Sequence, residues 1–305
     1  SFLAATFLGV REFRVGNRMY VLTAVVNLLV YGGMFVTSER GVPVAVAPVL
    51  LAGMLAQLAM TVVWLVHYVA FVRTRPALWS GGSLLRPAIA FSILGYFADL
   101  LNQLNYRLDI WLLGDMRDMG ELGLYAVAVG VAQFFFMVPE PIARVLQPHL
   151  VSDDQEGLLD KFKLYSRLCV TLVLAGGAVA VLVSEWVFPL VYGEPFRPSA
   201  AAFRLLMPGI VFACVSKMLV LLVVRTGNIK YNVLASGAGL VITLVFDLLL
   251  IPAYGLLGAA VASSLAYFTV MMVVALVVFL RLGVPFGNYF ILMPKDVAQL
   301  LGRSR

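Results

Sequence analysis

The strongest constraint on this chain is a series of apolar runs, each long enough to form a helix that crosses a bilayer. A transmembrane helix needs about 20 consecutive apolar residues, because the hydrocarbon core of a membrane is about 30 Å thick. Composition supports this interpretation, since 62% of the 305 residues are hydrophobic and only 12% are charged, whereas soluble domains carry about 25% charged residues. The pattern predicts an all-α polytopic membrane protein.

The hydropathy pattern predicts one partial and eight full membrane spans. They cover residues 1–10 (partial), 19–37, 44–71, 87–113, 122–147, 166–191, 202–224, 231–251 and 256–280. The polar breaks between these spans are short, so we expect no soluble domain that carries an active site. Because the chain starts in apolar residues without an initiator methionine, we expect it to begin partway through a membrane helix.

Basic residues are distributed unevenly between the two sets of alternate loops. Sixteen of the 22 Lys and Arg residues lie in the loops after the first, third, fifth and seventh spans or in the C-terminal segment, and four lie in the other loops. Cytoplasmic loops carry the excess of basic residues in membrane proteins, so we expect the C-terminus to be cytoplasmic. The same rule accounts for the net charge of +6 without a nucleic-acid partner.

A short internal repeat links two distant parts of the chain. The segment RVGNRMY at Arg14–Tyr20 matches RTGNIKY at Arg225–Tyr231 in its Arg, Gly, Asn and Tyr residues. Gly-Asn pairs are also common in turns, and that is the competing interpretation. If the repeat reflects duplication, each copy joins an incoming helix to an outgoing one. The fold is then a two-lobe bundle of parallel six-helix repeats, with the first lobe incomplete in this chain.

This interpretation divides the chain into four parts. Residues 1–72 are predicted to be the C-terminal half of the first transmembrane lobe, and residues 73–86 to be the cytoplasmic linker between the lobes. Residues 87–281 are predicted to form the second six-helix transmembrane lobe, and residues 282–305 a cytoplasmic C-terminal tail.

Polar side chains interrupt one apolar run in the segment LNQLNYRLDIWLLG, at Leu101–Gly114. Asn102, Asn105 and Asp109 fall on one face of a helix, since each residue rotates by about 100°. Asp99 lies at the edge of that face. Polar residues inside a membrane usually face protein or a water-filled cavity, so this stripe predicts a cavity wall.

Two charged residues of this segment have a second interpretation. Arg107 points to the side of the helix away from Asp109, so the two residues cannot pair within one continuous helix. Both lie near the outer end of the predicted span. Long charged side chains in such places also reach the membrane surface, so anchoring of the helix is the alternative to a cavity role.

Lys217 lies too deep in its span, in FACVSKMLVLLVV, to be an ordinary anchor at the membrane surface. It either pairs with a carboxylate, such as Asp99 or Asp247, or offers a positive charge in a water-filled cavity. Glu140 and Arg144 are four residues apart, and this spacing predicts an ion pair on one helix.

The remaining reactive side chains predict no metal site, no disulfide and no cofactor. Cys169 and Cys214 lie in apolar segments, and His67 and His149 occur singly near predicted helix ends. Structural metal sites need clusters of thiolate, imidazole or carboxylate ligands, and this pattern contains none.

Three segments in fixed order carry a resemblance to a known family. They are NYRLDIWLLG, ELGLYAVAVGVAQFFFMVPEPIARVLQPHLV and LLLIPAYGLLGAAVASSLAY. They resemble the oligosaccharide-lipid flippases of the polysaccharide-biosynthesis family, in the multidrug/oligosaccharidyl-lipid/polysaccharide exporter superfamily. The resemblance covers the chain from about Phe2 to Arg281. It implies two six-helix lobes around a central cavity, with both termini cytoplasmic.

The resemblance also implies a function and a location. Such flippases move a polyprenyl-pyrophosphate-linked oligosaccharide from the inner to the outer leaflet of the bacterial cytoplasmic (inner) membrane by alternating access, for surface polysaccharides such as O-antigen. The expected partners are this lipid, membrane lipids and the polysaccharide polymerase machinery, and no enzyme activity is expected. Only Arg107 and Asp109, in the RLD triplet, carry over from the family's pattern.

The candidate site residues fall into two predicted sets. The substrate-binding set is Lys217, Arg107, Asn102 and Asn105. The ion-coupling set is Asp99, Asp109 and Asp247, on which an ion gradient would act.

Three other functions compete with this one. A multidrug-type exporter of the same superfamily, coupled to protons or cations, would carry acidic residues at mid-membrane, and Lys217 argues against it. A polytopic membrane enzyme that uses the same lipid donor would need a large outward loop, and the break around 192–199 is too short for one. An assembly partner of a cell-surface polymerase is the third alternative.

Overall fold

The structure is a computed structural model that describes residues 13–39, 46–73, 85–152 and 155–285, together with residue 296. All regular structure in these residues is helical, which confirms the all-α prediction. The α-helices are α1 (Phe13–Glu39), α2 (Val46–Arg73), α3 (Leu85–Asn105), α4 (Leu108–Met116), α5 (Met119–Gln133), α6 (Pro139–Ser152), α7 (Gln155–Tyr192), α8 (Ser199–Arg225), α9 (Lys230–Tyr254) and α10 (Leu256–Leu282). Two 3-10 turns lie at Phe134–Met137 and Glu194–Phe196.

Six segments among the described residues are long and apolar enough to cross a membrane. They are Leu51–Ala70, Met119–Leu146, Leu159–Tyr192, Ser199–Arg225, Lys230–Tyr254 and Leu256–Leu282. Apolar side chains also dominate the outer surface, as shown by Leu190 at 84% exposure, Leu28 at 72% and Trp186 at 70%. Lipid tails are as apolar as these side chains. The chain is therefore a multi-pass membrane protein.

The chain divides into two compact units, residues 1–86 and residues 87–305. In the first unit α1 packs against α2, where the Tyr31 phenol lies over Gly53. The predicted partial span at 1–10 and most of the predicted linker lie outside the described residues. The assignment of the parts to two lobes, a linker and a tail stays a prediction.

The two copies of the short repeat have different backbone conformations. Arg14–Tyr20 lies within α1, which is helical from its first residue onward. Arg225–Tyr231 forms the turn between α8 and α9, where Gly227 adopts a φ of 72° that favours glycine. The first copy therefore contains no turn in the part of α1 that is described, and duplication of the lobes stays a prediction.

The second unit is built around α8, the most buried of the apolar helices. It packs against α5, α6, α7 and α10, while α9 packs against α4 and α10. A Cβ atom on Gly209 of α8 would lie 2.6 Å from the Cα atom of Ser264 on α10. Small residues at such crossings let membrane helices approach closely, so the α8–α10 pair forms the tightly packed centre of this unit.

The predicted span at 87–113 is wrong as one continuous helix, because the chain breaks at Tyr106 and Arg107 into α3 and α4. The Arg107 N–H donates to the carbonyl three residues earlier, at 3.1 Å, which is the tighter pattern of a 3-10 turn. The Asp109 carboxylate then accepts a hydrogen bond from the Ile110 N–H at 2.8 Å. The first N–H groups of a helix lack partners within it, so this bond favours a new helix start.

A second interruption lies inside the apolar segment Met119–Leu146. After α5 the chain forms the 3-10 turn at Phe134–Met137 and then enters α6 at Pro139. Pro139 and Pro141 have no backbone N–H, so the ladder of helical hydrogen bonds cannot continue unbroken through this region. The residue between them, Glu140, lies in the first turn of α6, directly after this interruption.

Candidate functional site

A cavity of about 420 Å³ lies within the second unit. Its polar lining comes from α3, the break after it, α8, α9 and α10, and consists of Asp99, Asn102, Gln103, Asn105, Tyr106, Ser216, Lys217, Asn232 and Tyr267. Small-molecule sites usually measure about 300–1,000 Å³. Because the cavity has a polar lining although the helices around it are apolar, it is the candidate functional site.

Asn102 and Asn105 line the cavity and also join α3 to α9. The Asn105 amide nitrogen donates to the Ser236 carbonyl at 3.0 Å, and its oxygen accepts from the Thr243 hydroxyl at 2.9 Å. The Ser236 hydroxyl donates to the Asn102 amide oxygen at 3.0 Å. Asn105 is buried, whereas Asn102 is half-buried. Asn105 therefore holds the wall in place, and Asn102 is the more accessible of the two amides.

Lys217 is the basic side chain of the cavity among the described lining residues. Its Nζ lies 4.0 Å from Glu140 Oε1 and 4.4 Å from the centre of the Phe136 ring. The centre of the Tyr106 ring is 6.0 Å away. Cations are attracted to aromatic faces at these distances. The ammonium group is therefore held by one carboxylate and two rings, with a side that remains open to the cavity.

The structure corrects the predicted partner of Lys217. Within the described ranges neither Asp99 nor Asp247 forms an ion pair with it, and Glu140 is the carboxylate that approaches it. Asp99 instead lines the cavity together with Lys217, so that one carboxylate and one ammonium group share the same space. The pairing of Glu140 with Arg144 stays a prediction.

Aromatic rings form one side of the cavity. Tyr106 and Tyr267 both line it, and their ring centres lie 5.7 Å apart in an edge-on contact. The Phe136 ring centre lies 5.4 Å from that of Tyr106. Aromatic faces offer flat apolar surfaces, while the amides and hydroxyls around them donate and accept hydrogen bonds. This combination suits a ligand that has both apolar faces and many hydroxyl groups.

Asp109 and Arg107 do not line the cavity. Asp109 is only 1% exposed and accepts hydrogen bonds from the Tyr125 hydroxyl at 2.5 Å and the Ser263 hydroxyl at 2.7 Å. These bonds join α4 to α5 and α10. Arg107 is exposed at the break between α3 and α4. The two residues that carry over from the family resemblance are thus a structural carboxylate and an exposed cation.

Asp247 is fully buried in α9. Neither of its carboxylate oxygens has a hydrogen-bond partner among the residues that the structure describes. A buried polar atom left unpartnered costs about 1–3 kcal/mol, and more if it is charged. The helix that carries Asp247, α9, packs against α4, which carries another buried carboxylate, Asp109. No group of three or more His, Cys, Asp or Glu side chains in the described ranges is placed to hold a metal ion.

Contacts between α3 and α9 place the cavity toward one end of the helix bundle. Gly95 of α3 lies next to Ile229, immediately before α9 begins, and Asn102 bonds Ser236 in the second turn of α9. Basic residues at this end include Arg225, Lys230 and Arg281. The cavity therefore lies nearer the end that the charge distribution assigns to the cytoplasm.

Several residues of the cavity lining were not predicted from the sequence. Ser216 and Asn232 were visible as polar residues within apolar runs, so the same rule that singled out the lysine beside Ser216 could have found them. Tyr106 and Tyr267 carry no such signal, because tyrosine is also enriched where membrane helices meet the water interface. Glu140 was recognised, but the contact of its carboxylate with a lysine on another helix is not encoded in local spacing.

A match to a known protein family covers much of this region. Residues 16–201 match the family described as "Polysaccharide biosynthesis protein". This range is more than half of the 305 residues, and it contains the α3 wall of the cavity and the segment that carries Glu140. No curated protein and no solved structure matches the chain.

We expect Asn105→Ala to lower the free energy of unfolding by about 1 kcal/mol, since hydrogen bonds between membrane helices contribute about 0.6–1.7 kcal/mol. The change removes both bonds to α9 and leaves the Thr243 hydroxyl without its acceptor. Gln103→Ala is the control, because Gln103 is exposed on the same helix. Unfolding of the purified protein in detergent measures both, and equal stability of the two variants would contradict a structural role for Asn105.

Proposed function

This chain belongs to the polysaccharide biosynthesis protein family, and on that premise we propose that it is a flippase for a lipid-linked oligosaccharide. The family and the six apolar helices show a multi-pass membrane protein with a role in polysaccharide biosynthesis. In the proposal, the cargo is a polyprenyl pyrophosphate that carries a sugar unit. It moves from the inner to the outer leaflet of the bacterial cytoplasmic membrane by alternating access, and a polysaccharide polymerase is the proposed recipient.

One observation carries this proposal, namely that a single cavity combines an ammonium group with amides and aromatic rings. Lys217 suits the pyrophosphate, because phosphate groups are bound by charge-assisted hydrogen bonds. Asn102, Gln103 and Asn232 suit sugar hydroxyls, since an amide both donates and accepts. Tyr106 and Tyr267 line the same space. These groups together suit the binding of such a cargo, so we propose transport.

The position of the cavity supports loading from the inner leaflet. It lies toward the end of the bundle that is predicted to be cytoplasmic, and we propose that the C-terminus lies on that side. Farther toward the other end, Asp109, Tyr125 and Ser263 form a buried hydrogen-bonded cluster. A cluster whose members satisfy one another favours a closed, ordered packing. We propose that this cluster keeps the unit closed at its outer end.

A multidrug-type exporter is the second candidate, because Asp99 lines the same cavity as Lys217. A carboxylate there would attract a cationic drug or a coupling ion. The lysine opposes that reading, since a cationic cargo would meet a like charge. An anionic cargo satisfies Lys217, and its sugars satisfy Asp99 as a hydrogen-bond acceptor, so the flippase accounts for both residues.

Among the three candidate carboxylates, we propose Asp247 as the strongest candidate for ion coupling. Asp109 already accepts hydrogen bonds from two hydroxyls, and Asp99 faces the cavity. Asp247 is buried and lacks a hydrogen-bond partner in the described ranges. A lone carboxylate in a dry interior is stabilised when it binds a proton or a small cation, and an ion gradient could act through this step.

We expect Lys217→Ala to slow leaflet exchange by about tenfold or more, because a hydrogen bond to a charged group contributes about 1.5–3 kcal/mol. The assay uses the full-length protein in proteoliposomes, with a polyprenyl-pyrophosphate-linked oligosaccharide in one leaflet. Accessibility of the sugar to an impermeant reagent follows exchange. Lys163→Ala is the matched control, since Lys163 pairs with Asp160 on α7 outside the cavity. Absence of exchange by the unmodified protein under a proton or sodium gradient would favour the multidrug-type exporter.

We expect Asp247→Asn to abolish the response of exchange to an imposed proton or sodium gradient. Exchange down the concentration gradient of the cargo should persist, because Asp247 does not line the cavity. Asp160→Asn provides the control, as this carboxylate is exposed and paired with a lysine. The same proteoliposome assay, run with and without each gradient, measures the effect. A variant that still follows the gradient as the unmodified protein does would exclude Asp247 from coupling.

A further inference from the structure

Lys217 of the proposed cargo site is paired with Glu140, a residue of opposite charge that does not line the cavity. Lys217 Nζ lies 4.0 Å from Glu140 Oε1, and the two side chains are 31% and 56% exposed. Lys217 lines the cavity, whereas Glu140 does not. The ammonium group thus stands between the space for the cargo and a carboxylate outside that space.

Glu140 lies in the first turn of α6, next to the interruption in its membrane segment. It lies between Pro139 and Pro141, and the 3-10 turn at Phe134–Met137 precedes it. Phe136 of that turn places its ring 4.4 Å from Lys217 Nζ. Both close neighbours of the ammonium group therefore come from a segment in which proline prevents a continuous helical hydrogen-bond ladder.

The pair is weak enough for a ligand to displace it. Partly exposed ion pairs contribute little to stability, because water screens the charges and both side chains lose freedom. A pyrophosphate carries more negative charge than one carboxylate, and it presents several acceptor oxygens to the same ammonium group. An anionic cargo in the cavity will therefore compete successfully with Glu140 for Lys217.

We propose that Glu140 is a positioning residue that competes with the cargo's pyrophosphate for Lys217. This inference rests on the proposed function, because it needs an anionic cargo in the cavity. In the empty state Glu140 holds the ammonium group beside the interrupted segment. When the cargo enters, Lys217 turns to the pyrophosphate and Glu140 is released. When the cargo leaves, Glu140 takes the lysine back, which keeps binding reversible.

The test measures the affinity of the purified full-length protein for farnesyl pyrophosphate, a short polyprenyl pyrophosphate, by calorimetry in detergent. Glu140→Gln should bind the probe about twofold to fivefold tighter than the unmodified protein at low salt, because the competing charge is gone. The gain should shrink at high salt, since screening weakens both competitors. Glu140→Asp keeps the charge and should bring the affinity back toward that of the unmodified protein.

Two controls show that Glu140 acts through the lysine. Glu185→Gln should leave affinity unchanged, because Glu185 is a similarly exposed carboxylate that pairs with Arg204 away from the cavity. In a Lys217→Ala background, Glu140→Gln should give no gain, as a double-mutant cycle requires for coupled residues. Glu140→Ala is a second neutral variant for use if Glu140→Gln does not fold.

The outcomes separate this inference from the proposed function. If Lys217→Ala weakens binding while the neutral Glu140 variants bind as the unmodified protein does, or more weakly, competition by Glu140 is wrong and the cargo site stands. If the unmodified protein does not bind the probe, or Lys217→Ala binds it equally well, the proposed cargo site itself is wrong. A salt-dependent gain that Lys217→Ala abolishes supports both.

Discussion

A polar group inside a bilayer is stabilised by partners in protein or in water, because lipid offers none. This constraint organises the second unit. Asn105 satisfies it through α9, and Asp109 through hydroxyls on α5 and α10. Lys217 satisfies it through a carboxylate, aromatic rings and a cavity. Each solution ties a different set of helices together, so polar contacts help to specify the packing.

The two interruptions in the membrane helices come together at the same place. Tyr106 marks the break between α3 and α4, and Phe136 lies in the turn between α5 and α6. Their ring centres are 5.4 Å apart, and Lys217 Nζ lies near both rings. Irregular backbone at membrane depth is tolerated where protein or a cavity surrounds it. Tyr106 of the first interruption lines the cavity, and the second interruption contacts Tyr106 through Phe136.

Hydropathy predicted the helical class and six of the membrane segments correctly, because the length and apolarity of a span are local properties. It did not predict the break at Tyr106 and Arg107 within residues 87–113, because averaging over a window cannot detect a two-residue turn between two helices. The depth of Lys217 was also readable from its position. Its contact with Glu140 was not, since that contact joins residues far apart in the chain.

The candidate site was likewise predictable where helical spacing alone places a residue, and not where contacts between helices place it. Asn102 and Asn105 were recognised from their helical spacing, and both line the cavity. Asp109 has the same spacing but points into a buried cluster, because the break before α4 changes the direction in which its side chain emerges. The orientation in the membrane rests on the distribution of basic residues, and it remains a prediction.

The most direct test of a cargo site at Lys217 is photocrosslinking of the full-length protein in membranes with a photoactivatable polyprenyl pyrophosphate. The reactive group is placed next to the pyrophosphate, and mass spectrometry maps the crosslinked peptides. We expect crosslinks within residues 99–106 and 213–220, the two segments that carry Asn102 and Lys217 of the cavity lining. Crosslinks confined to the exposed apolar face of α7, around Leu182, Trp186 and Leu190, would show lipid contact without entry and would contradict it.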